Sequence, residues 1–422
     1  MITISTQNPK ALLITIVQSG ENQIQTQARL EELASLAQTM EVQVLLSLTI
    51  VLNQKHPATL IGSGKVEELK SLIDLHSADL IIFDQELPPR AQRNLENRLD
   101  CAVIDRQEVI LQIFSDRAAT KEARLQVALA RQQYSLPRLT RRWTHLSRQR
   151  GGMRGTRDAG ETQLELDRRI VLNTISSLKK ELKKVVSQRS VQRKSRLNSP
   201  IATCAIVGYT NAGKSSLLNA LSNSSVLVEN KLFATLDPTT RTITLPLGKQ
   251  MLLSDTVGFV SNLPHQLVEA FTSTLEEATY ADCILHVIDA SHPDPLGCFA
   301  TTTQVLHSLG CSEKPTILFI NKMDALSDEF AIARLKSEHP KALEGSVKQR
   351  VGIDTLLQAL EEAATYGMVL KKYLLPLDRG DLLERLRNQG ALLYSEYIDE
   401  GITVQAKVPS HLIDELAKFE QL

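Results

Sequence analysis

The sequence predicts an α/β protein with two open, parallel-rich sheets that are each flanked by helices. Short apolar runs alternate with helical patterns before residue 121, and the same alternation returns after residue 200. Such alternation is typical of parallel sheets with helices packed on their faces. Because 422 residues exceed one ordinary domain, we predict four domains: an N-terminal α/β domain at 1–120, a basic helical hairpin linker at 121–198, a second α/β domain at 199–366 and a small C-terminal α+β domain at 367–422.

In the N-terminal domain, apolar runs predict buried strands at 11–17, 42–48, 79–83 and 102–104. Amphipathic stretches predict the helices between them, at 29–40, 66–76 and 90–99. A Gly-Ser-Gly-Lys turn at 62–65 resembles a phosphate loop, but it is too short for that spacing and lacks the hydroxyl after the lysine. We interpret it as a glycine turn before a helix, with a second nucleotide site as the weaker alternative.

The linker is predicted to be an antiparallel helical hairpin with a long irregular connection at 138–160. A helix at 122–134 supplies one arm. The other arm carries a heptad seam sustained for two repeats, at Val171, Ile175, Leu178, Leu182 and Val185. Long connections without secondary structure are usually functional or disordered.

The C-terminal domain is predicted to combine a small sheet with two helices. Its strands are expected at 373–376, 391–397 and 402–408, and its helices at 381–388 and 411–419.

The composition excludes several classes of protein. The N-terminus lacks the basic-then-apolar order of a signal peptide, and no run of about 18 apolar residues exists, so we expect no membrane span. The five cysteines form no Cys-x-x-Cys pair, and the nine histidines have no metal-ligand spacing. We therefore expect a cytoplasmic monomer with reduced thiols.

The strongest motif is GYTNAGKS at 208–215, which matches G-x-x-x-x-G-K-[ST]. It follows an apolar run at 205–207 and precedes a helix, which is the context that a P-loop requires. Its glycines let backbone N–H groups surround phosphate, while the lysine should bridge the β- and γ-phosphates and the serine should bind Mg²⁺. The loop consists of Gly208, Tyr209, Thr210, Asn211, Ala212, Gly213, Lys214 and Ser215.

Two further motifs follow in the order that GTPases require. DTVG consists of Asp255, Thr256, Val257 and Gly258; its aspartate should hold Mg²⁺ through water, and its glycine N–H should touch the γ-phosphate. NKMD consists of Asn321, Lys322, Met323 and Asp324; its final carboxylate should accept two hydrogen bonds from guanine N1–H and N2–H₂. Adenine presents an acceptor at N1, and losing the charge-assisted pair costs roughly 2–4 kcal/mol. The motifs therefore predict a P-loop GTPase domain.

The fourth nucleotide motif is SVK, formed by Ser346, Val347 and Lys348, where these GTPases usually have Ser-Ala-Lys. The backbone N–H of Val347 should reach guanine O6. With four motifs in order, Lys214 and Gly258 are the predicted catalytic contacts to phosphate.

A loop between the first two motifs must supply a threonine to Mg²⁺, and FATLDPTTR at 233–241 offers three. We choose Thr235 and interpret Thr239 and Thr240 as turn residues after Pro238; the alternative is that Thr235 is an ordinary loop residue. The predicted contacts in this loop are Phe233, Ala234, Thr235, Leu236 and Asp237.

Phe259 follows DTVG, at the position where Ras-like enzymes carry the glutamine that orients the attacking water. A phenyl ring cannot hydrogen-bond water. Hydrolysis by the isolated protein should therefore be slow, with water positioned by another residue or by a partner. The alternative is that Phe259 is a core residue and another side chain does this work.

The charge is balanced overall but unevenly placed. Residues 138–196 contain 17 Lys/Arg against 5 Asp/Glu, and 138–157 contain seven arginines and no acid. Arginines with an aromatic side chain on a glycine-rich loop are typical of RNA binding, although a charge run on a helix is usually a solvated face. The predicted RNA contacts are Arg138, Arg141, Arg142, Trp143, Arg148, Arg150, Arg154 and Arg157.

The whole arrangement resembles the HflX family of translation-associated GTPases. The resemblance rests on ARLQVALARQQYSLPRL (123–139), on HLSRQRGGMRGTRDAGETQLELDRR (145–169), and on stretches at 60–69, 233–241, 263–282 and 375–386. It implies GTP contacts at 208–215, 233–237, 255–258, 321–324 and 346–348, with Ser215 and Thr235 as the Mg²⁺ ligands.

The resemblance also implies binding to the large ribosomal subunit and ribosomal RNA, and a role in splitting or rescuing ribosomes. One loop departs from the family: its usual Arg-Gly-Pro-Gly-Glu is Arg-Asp-Ala-Gly-Glu at 157–161. The alternative function is a ribosome-assembly or RNA-remodelling factor that uses the GTPase as a timer. A tRNA-modifying GTPase is disfavoured, because those enzymes end in a cysteine-bearing motif and no cysteine follows Cys311.

Overall fold

The structure is a computed structural model of the chain. It describes residues 8–52, 54, 56–139, 157–197, 201–222, 232–233, 238–261, 277–364, 369–388, 392–408 and 416–420. The chain divides into two compact units. The first contains 1–187, 229–237 and 258–274, and the second contains 188–228, 238–257 and 275–422.

A four-stranded, fully parallel sheet in the order β2-β1-β3-β4 organises the first unit. Its strands are β1 (Lys10–Gln18), β2 (Gln43–Leu52), β3 (Leu80–Phe83) and β4 (Ala102–Asp105). The predicted α/β class with a parallel sheet is thus confirmed. Strand β2 runs four residues past its predicted end, because 49–52 continue to pair with 15–18 of β1.

Five helices accompany this sheet: α1 (Gln23–Thr39), α2 (Ser63–His76), α3 (Pro89–Leu99), α4 (Arg106–Arg117) and α5 (Lys121–Ser135). Helix α1 starts earlier than predicted because the Asn22 side chain accepts a hydrogen bond from the Ile24 N–H and caps it. Helix α4 was not predicted. It follows β4 directly, and Asp105, the last strand residue, caps it by accepting from the Glu108 N–H.

The hydrophobic core of this unit lies on the two central strands. Leu12 and Ile14 of β1 and Ile81 and Phe83 of β3 have no exposed surface. Each such side chain contributes about 1.5–3 kcal/mol when it is fully buried. The core thereby holds the carboxyl ends of the strands in place.

A helix of 41 residues, α6 (Arg157–Leu197), carries the predicted heptad seam. The five seam residues are buried or half-buried, whereas the lysines at 179, 180, 183 and 184 are exposed. The helix therefore has one apolar face and one basic face, as the 4-3-4-3 spacing indicates.

The second unit is built on a six-stranded sheet in the order β10-β9-β8-β5-β7-β6, with only β6 antiparallel to its neighbour. Its strands are β5 (Ala202–Gly208), β6 (Thr239–Thr244), β7 (Gln250–Asp255), β8 (Cys283–Asp289), β9 (Thr316–Asn321) and β10 (Leu343–Glu344). Its helices are α7 (Lys214–Ser222), α8 (Pro295–Ser308), α9 (Glu329–Glu338) and α10 (Ile353–Ala364).

The same unit ends in a three-stranded antiparallel sheet in the order β11-β13-β12. Its strands are β11 (Val369–Leu375), β12 (Leu392–Ile398) and β13 (Gly401–Val408), and helix α11 (Gly380–Asn388) lies between β11 and β12 in the sequence. The predicted helix at 411–419 lies mostly outside the described residues, and its described part is a 3-10 turn at Ala417–Phe419.

All five cysteines are free thiols, and four of them are buried. Within the described parts of the chain, no helix is both long and apolar enough to cross a membrane.

A half-buried carboxyl on α3, that of Glu96, makes the stability of the first unit depend on pH. Burial, reinforced by the charge of Glu108, raises the pKa of Glu96 to about 7. A carboxyl with a raised folded-state pKa binds its proton more tightly when folded, so stability is lost as pH rises from about 4.5 through 7. We expect Glu96→Gln to raise the free energy of unfolding at pH 8 by about 1 kcal/mol, after allowance for solvent screening.

Thermal unfolding at pH 5 and pH 8 measures this difference. The variant should gain stability over wild type only at pH 8. The control is Glu67→Gln at an exposed position, and its stability relative to wild type should be the same at both pH values. An equal gain for Glu96→Gln at both pH values would contradict the assignment.

Candidate nucleotide-binding site

The P-loop lies between β5 and α7 and depends on two glycines. Gly208 and Gly213 have φ angles of +151° and +92°, which residues with a Cβ atom rarely adopt. A Cβ on Gly208 would lie 2.3 Å from the Val287 carbonyl oxygen, and one on Gly213 would lie 2.4 Å from Asn321 Nδ2. Backbone shape and close packing therefore both require glycine at these positions.

Lys214 is folded into the loop that it belongs to. Its Nζ donates to the carbonyl oxygens of Gly208, at 3.1 Å, and Tyr209, at 2.7 Å. Burial lowers the pKa of this ammonium to about 8, and the negative charge of Asp255 opposes that shift. A bound phosphate would offer stronger, charged acceptors than these carbonyls, so the lysine is placed to exchange them for a phosphate.

Ser215 and Asp255 bring a hydroxyl and a carboxylate together. The Ser215 Oγ donates to Asp255 Oδ2 at 2.6 Å, where the first turn of α7 meets the carboxyl end of β7. The Thr256 hydroxyl donates to the Ile206 carbonyl at 2.8 Å and fixes the chain just after Asp255. Because oxygen ligands of this kind suit Mg²⁺, the residues fit the predicted metal site.

One side chain joins three of the predicted motifs. Asn321 Nδ2 donates to the carbonyl oxygen of Ala212 in the P-loop at 2.9 Å. Its Oδ1 accepts from the Val347 N–H at 3.0 Å. Asn321 thus connects the P-loop with the SVK loop, and the Val347 N–H assigned to guanine O6 is engaged with Asn321 here.

Lys322 and Asp324 flank the space predicted for guanine. Lys322 adopts φ of +62° and its Nζ donates to Asp289 Oδ2 at 2.7 Å. Asp324 is exposed, and its Oδ1 accepts from the Ser346 Oγ at 2.5 Å. That hydrogen bond is the main cause that holds the pKa of Asp324 below its ordinary value. The carboxylate is therefore ionised and available to accept from a base.

Sequence reasoning missed two neighbours of these motifs. Asp289 is the last residue of β8 and accepts a hydrogen bond from Lys322. His292 follows it, with its ring centroid 5.6 Å from that of Tyr209 in the P-loop. The available signal was the position after a buried strand, because polar residues at the carboxyl ends of parallel strands line the binding edge of such sheets.

The described parts of the two loops assigned to phosphate and Mg²⁺ belong to the first unit. Phe233 is buried, with its ring 4.6 Å from the ring of Phe114. Ser261 donates to Glu32 Oε2 at 2.6 Å, and Glu32 also accepts from the buried Arg106 at 2.6 Å. Residues 234–237, which include the predicted ligand Thr235, lie outside the described residues.

Phe259 is also part of the first unit and is 2% exposed. Its ring is therefore shielded from solvent. A buried phenyl ring offers no hydrogen bond to water. We therefore still expect slow hydrolysis by the isolated protein, because no glutamine at this position can orient the attacking water.

The interpretation of Thr239 and Thr240 as turn residues is wrong. Both lie in β6, paired with Asp255 and Ser254 of β7, and the hydroxyls of Thr240 and Ser254 are 2.9 Å apart. The proline at 238 precedes the strand, and β-branched threonines are favoured in strands. Pairing with β7 therefore decided the local structure.

The predicted RNA contacts divide into two groups. Residues 141–154 lie outside the described residues, and Arg157 begins α6. Arg138 is described, and its guanidinium donates to the Leu87 and Tyr134 carbonyls, to Gln92 and to Asp105. It also lies 3.5 Å from the centre of the Tyr134 ring. Arg138 therefore anchors the start of the basic segment to the N-terminal domain.

Known proteins with related sequences match almost the whole chain. The GTPase HflX of Akkermansia muciniphila is 43% identical over 421 residues, which cover 97% of this chain and 96% of the relative. This chain belongs to the GTPase HflX family. The HflX of Treponema denticola is 52% identical over 339 residues, covering 79% and 87% of the two chains. That of Escherichia coli K12 is 39% identical over 386 residues, covering 91% and 90%.

Three family models match successive parts of the chain: GTP-binding GTPase N-terminal at 27–115, GTP-binding GTPase Middle Region at 117–196, and 50S ribosome-binding GTPase at 203–322. A solved GTP-binding protein of Sulfolobus solfataricus with GDP is 25% identical, with a TM-score of 0.45, and covers 85% of this chain and 99% of its own. The protein is a GTPase that binds and hydrolyses GTP, and the family resemblance is confirmed.

The geometry of the base loop predicts a change of nucleotide preference. Asp324→Asn replaces a carboxylate that accepts two donors with an amide that offers an acceptor and a donor. GTP affinity should fall by about 30-fold or more, since the lost charge-assisted contact is worth roughly 2–4 kcal/mol. Xanthine nucleotides should gain affinity, because their C2 carbonyl accepts from the amide.

Titration calorimetry with GTP, XTP and ATP tests this expectation. The nearby Asp328→Asn, which alters a helix cap rather than the base loop, is the matched control. If wild type bound ATP as tightly as GTP, the interpretation of NKMD would be wrong.

The predicted phosphate contacts imply a loss of turnover with little change in stability. Lys214→Ala or Ser215→Ala should lower GTP hydrolysis at least about 100-fold, because both side chains are predicted to contact the phosphates or the metal. Single-turnover hydrolysis measures the loss, and thermal unfolding without nucleotide verifies the fold. Ser216→Ala, one residue further along α7, is the control. Retained turnover in purified Lys214→Ala protein would contradict the assignment.

Proposed function

We propose that this protein is a Mg²⁺-dependent GTPase of the cytoplasm that binds the large ribosomal subunit and splits or rescues ribosomes. The observation that carries the ribosome role is the match of residues 203–322 to the 50S ribosome-binding GTPase family, together with the neighbouring middle-region match. The charge of the linker supports it, since an excess of 17 Lys/Arg over 5 Asp/Glu at 138–196 favours an anionic partner.

In this proposal Mg²⁺ is held by Ser215 and Thr235 directly and by Asp255 through water. The 2.6 Å contact between Ser215 and Asp255 supports the placement. The metal supplies charge neutralisation on the β- and γ-phosphates when it is bound. Lys214 then leaves its two carbonyl partners for the phosphates, and the Gly258 N–H holds the γ-phosphate.

Guanine is held by Asp324, with Asn321 keeping the P-loop and SVK loop in register. The exposed, ionised carboxylate of Asp324 supports this role. Lys322, braced by Asp289, packs along the base. Guanine preference then follows from the match between one carboxylate and two N–H donors.

Hydrolysis by the isolated protein is slow in this proposal, because Phe259 is buried and cannot orient water. In related GTPases a partner that completes the site accelerates hydrolysis by up to about 10⁵-fold. We assign that stimulation to the large subunit. The RNA is contacted by the basic segment through Arg141, Arg142, Trp143, Arg148, Arg150, Arg154 and Arg157, with Arg138 anchoring its start.

Ribosomes should therefore stimulate turnover through the basic segment. Replacing Arg148, Arg150, Arg154 and Arg157 by Ala should remove at least about 90% of the stimulation while leaving basal turnover unchanged. Each lost phosphate contact should also make the affinity for the large subunit less dependent on salt concentration. The matched control replaces four exposed cations elsewhere, at Lys70, Arg90, Arg98 and Arg334.

The measurement is GTP turnover with and without large subunits at two salt concentrations. Equal stimulation of wild type and the arginine variant would show that the segment is only a solvated surface. Sedimentation of intact ribosomes with a non-hydrolysable GTP analogue then separates two roles. Release of free subunits supports splitting, whereas binding confined to immature subunits supports an assembly factor.

A further inference from the structure

In the described part of the chain, strand β12 forms one edge of the C-terminal sheet. Strand β12 pairs only with β13 in the described part of the chain, so its other side lies at the end of the sheet. A bulge occurs between Leu392 and Tyr394, and from Tyr394 onward the pairing with β13 is regular. Edge strands present unpaired N–H and C=O groups, and proteins usually blunt them with lysine, proline or a covering element. Strand β12 contains neither lysine nor proline.

This edge also exposes large apolar side chains. Leu393 and Tyr394 are each 53% exposed, Tyr397 is 68% exposed and Ile398 is 38% exposed. They occur within six residues, whereas the buried face of the same sheet is covered by Leu382, Leu383 and Leu386 of α11. Exposed apolar side chains that include tyrosines are typical of protein-binding sites.

The charge of this edge has one sign. Residues 392–401 contain the exposed acids Glu396, Asp399 and Glu400 and no lysine or arginine. The Tyr394 hydroxyl donates to Glu396 Oε2 at 2.8 Å, which holds one carboxylate beside the apolar surface. An edge with this charge repels phosphates and repels a second copy of itself, while it attracts lysine and arginine.

We propose that this edge, residues 392–401, binds a basic, extended segment of another protein, which adds to the C-terminal sheet as a fourth strand next to β12. Backbone hydrogen bonds to the free edge supply affinity in this mode of binding, and side chains of alternate residues supply specificity. Tyr394, Tyr397 and Leu393 receive apolar side chains of the segment. Glu396, Asp399 and Glu400 receive its cations.

This site goes beyond the proposed function and is independent of the nucleotide motifs. The basic segment at 138–157 suits a polyanion, whereas the acidic edge suits a polycation. A protein with surfaces of opposite charge can hold RNA and a basic protein at the same time.

Hydrogen exchange of the full-length protein tests the proposal locally, because peptides that span 392–401 report only on this edge. The probe is a synthetic strand-forming peptide of about ten residues in which lysine alternates with valine. We expect it to slow exchange in 392–401 about tenfold at saturation. The same peptide with glutamate in place of lysine, and a single-stranded oligouridylate RNA, should not slow it.

Charge reversal supplies the decisive comparison. The triple variant Glu396→Lys, Asp399→Lys and Glu400→Lys should lose protection by the lysine peptide and gain it from the glutamate peptide. The control reverses three exposed acids elsewhere, at Glu67, Asp74 and Glu313, and should behave as wild type. If thermal unfolding shows that the triple variant does not fold, Tyr397→Ser replaces it and should weaken binding of the lysine peptide at least about fivefold.

Several outcomes would overturn the proposal. They are no protection by the lysine peptide, equal protection by both peptides, protection by RNA, or protection that rises with protein concentration alone, which would indicate self-association. Basal GTP turnover, measured alongside, should be unchanged in the triple variant because the edge is separate from the nucleotide motifs.

Discussion

The nucleotide site depends on one carboxamide. Asn321 donates to the P-loop at Ala212 and accepts from Val347, so a single side chain sets the spacing between the phosphate loop and the base loop. Its position also explains Gly213, since a Cβ there would lie 2.4 Å from Asn321 Nδ2. A longer or shorter side chain would lose one of the two contacts. The distance between phosphate and base contacts is therefore fixed by covalent geometry.

The sheet makes this arrangement possible. Parallel strands β5, β7, β8 and β9 end at one edge, and their last residues are Gly208, Asp255, Asp289 and Asn321. Buried apolar side chains hold the strands in register. Polar groups that would be costly in the core thus gather where ligands can satisfy them.

Basic and acidic residues are concentrated in different segments of the chain. The formal net charge is zero, yet the linker is strongly basic and the edge at 392–401 is acidic. Arg138 lies at the boundary of the basic segment and is held by Asp105 and stacked on Tyr134. An overall balance of this kind preserves local fields that a uniform mixture of charges would cancel.

The α/β class, the P-loop, the guanine motif and the heptad seam could all be predicted from the amino-acid sequence, because each is a local pattern that is recognised by its spacing. Three features became visible only in the folded chain: Asp289 accepts a hydrogen bond from Lys322, Arg138 is held by the N-terminal domain, and Phe259 is buried. Strand pairing with β7 likewise placed Thr239 and Thr240 in β6. These features depend on contacts between residues that are far apart in the chain, and local sequence patterns do not indicate which distant residues come into contact.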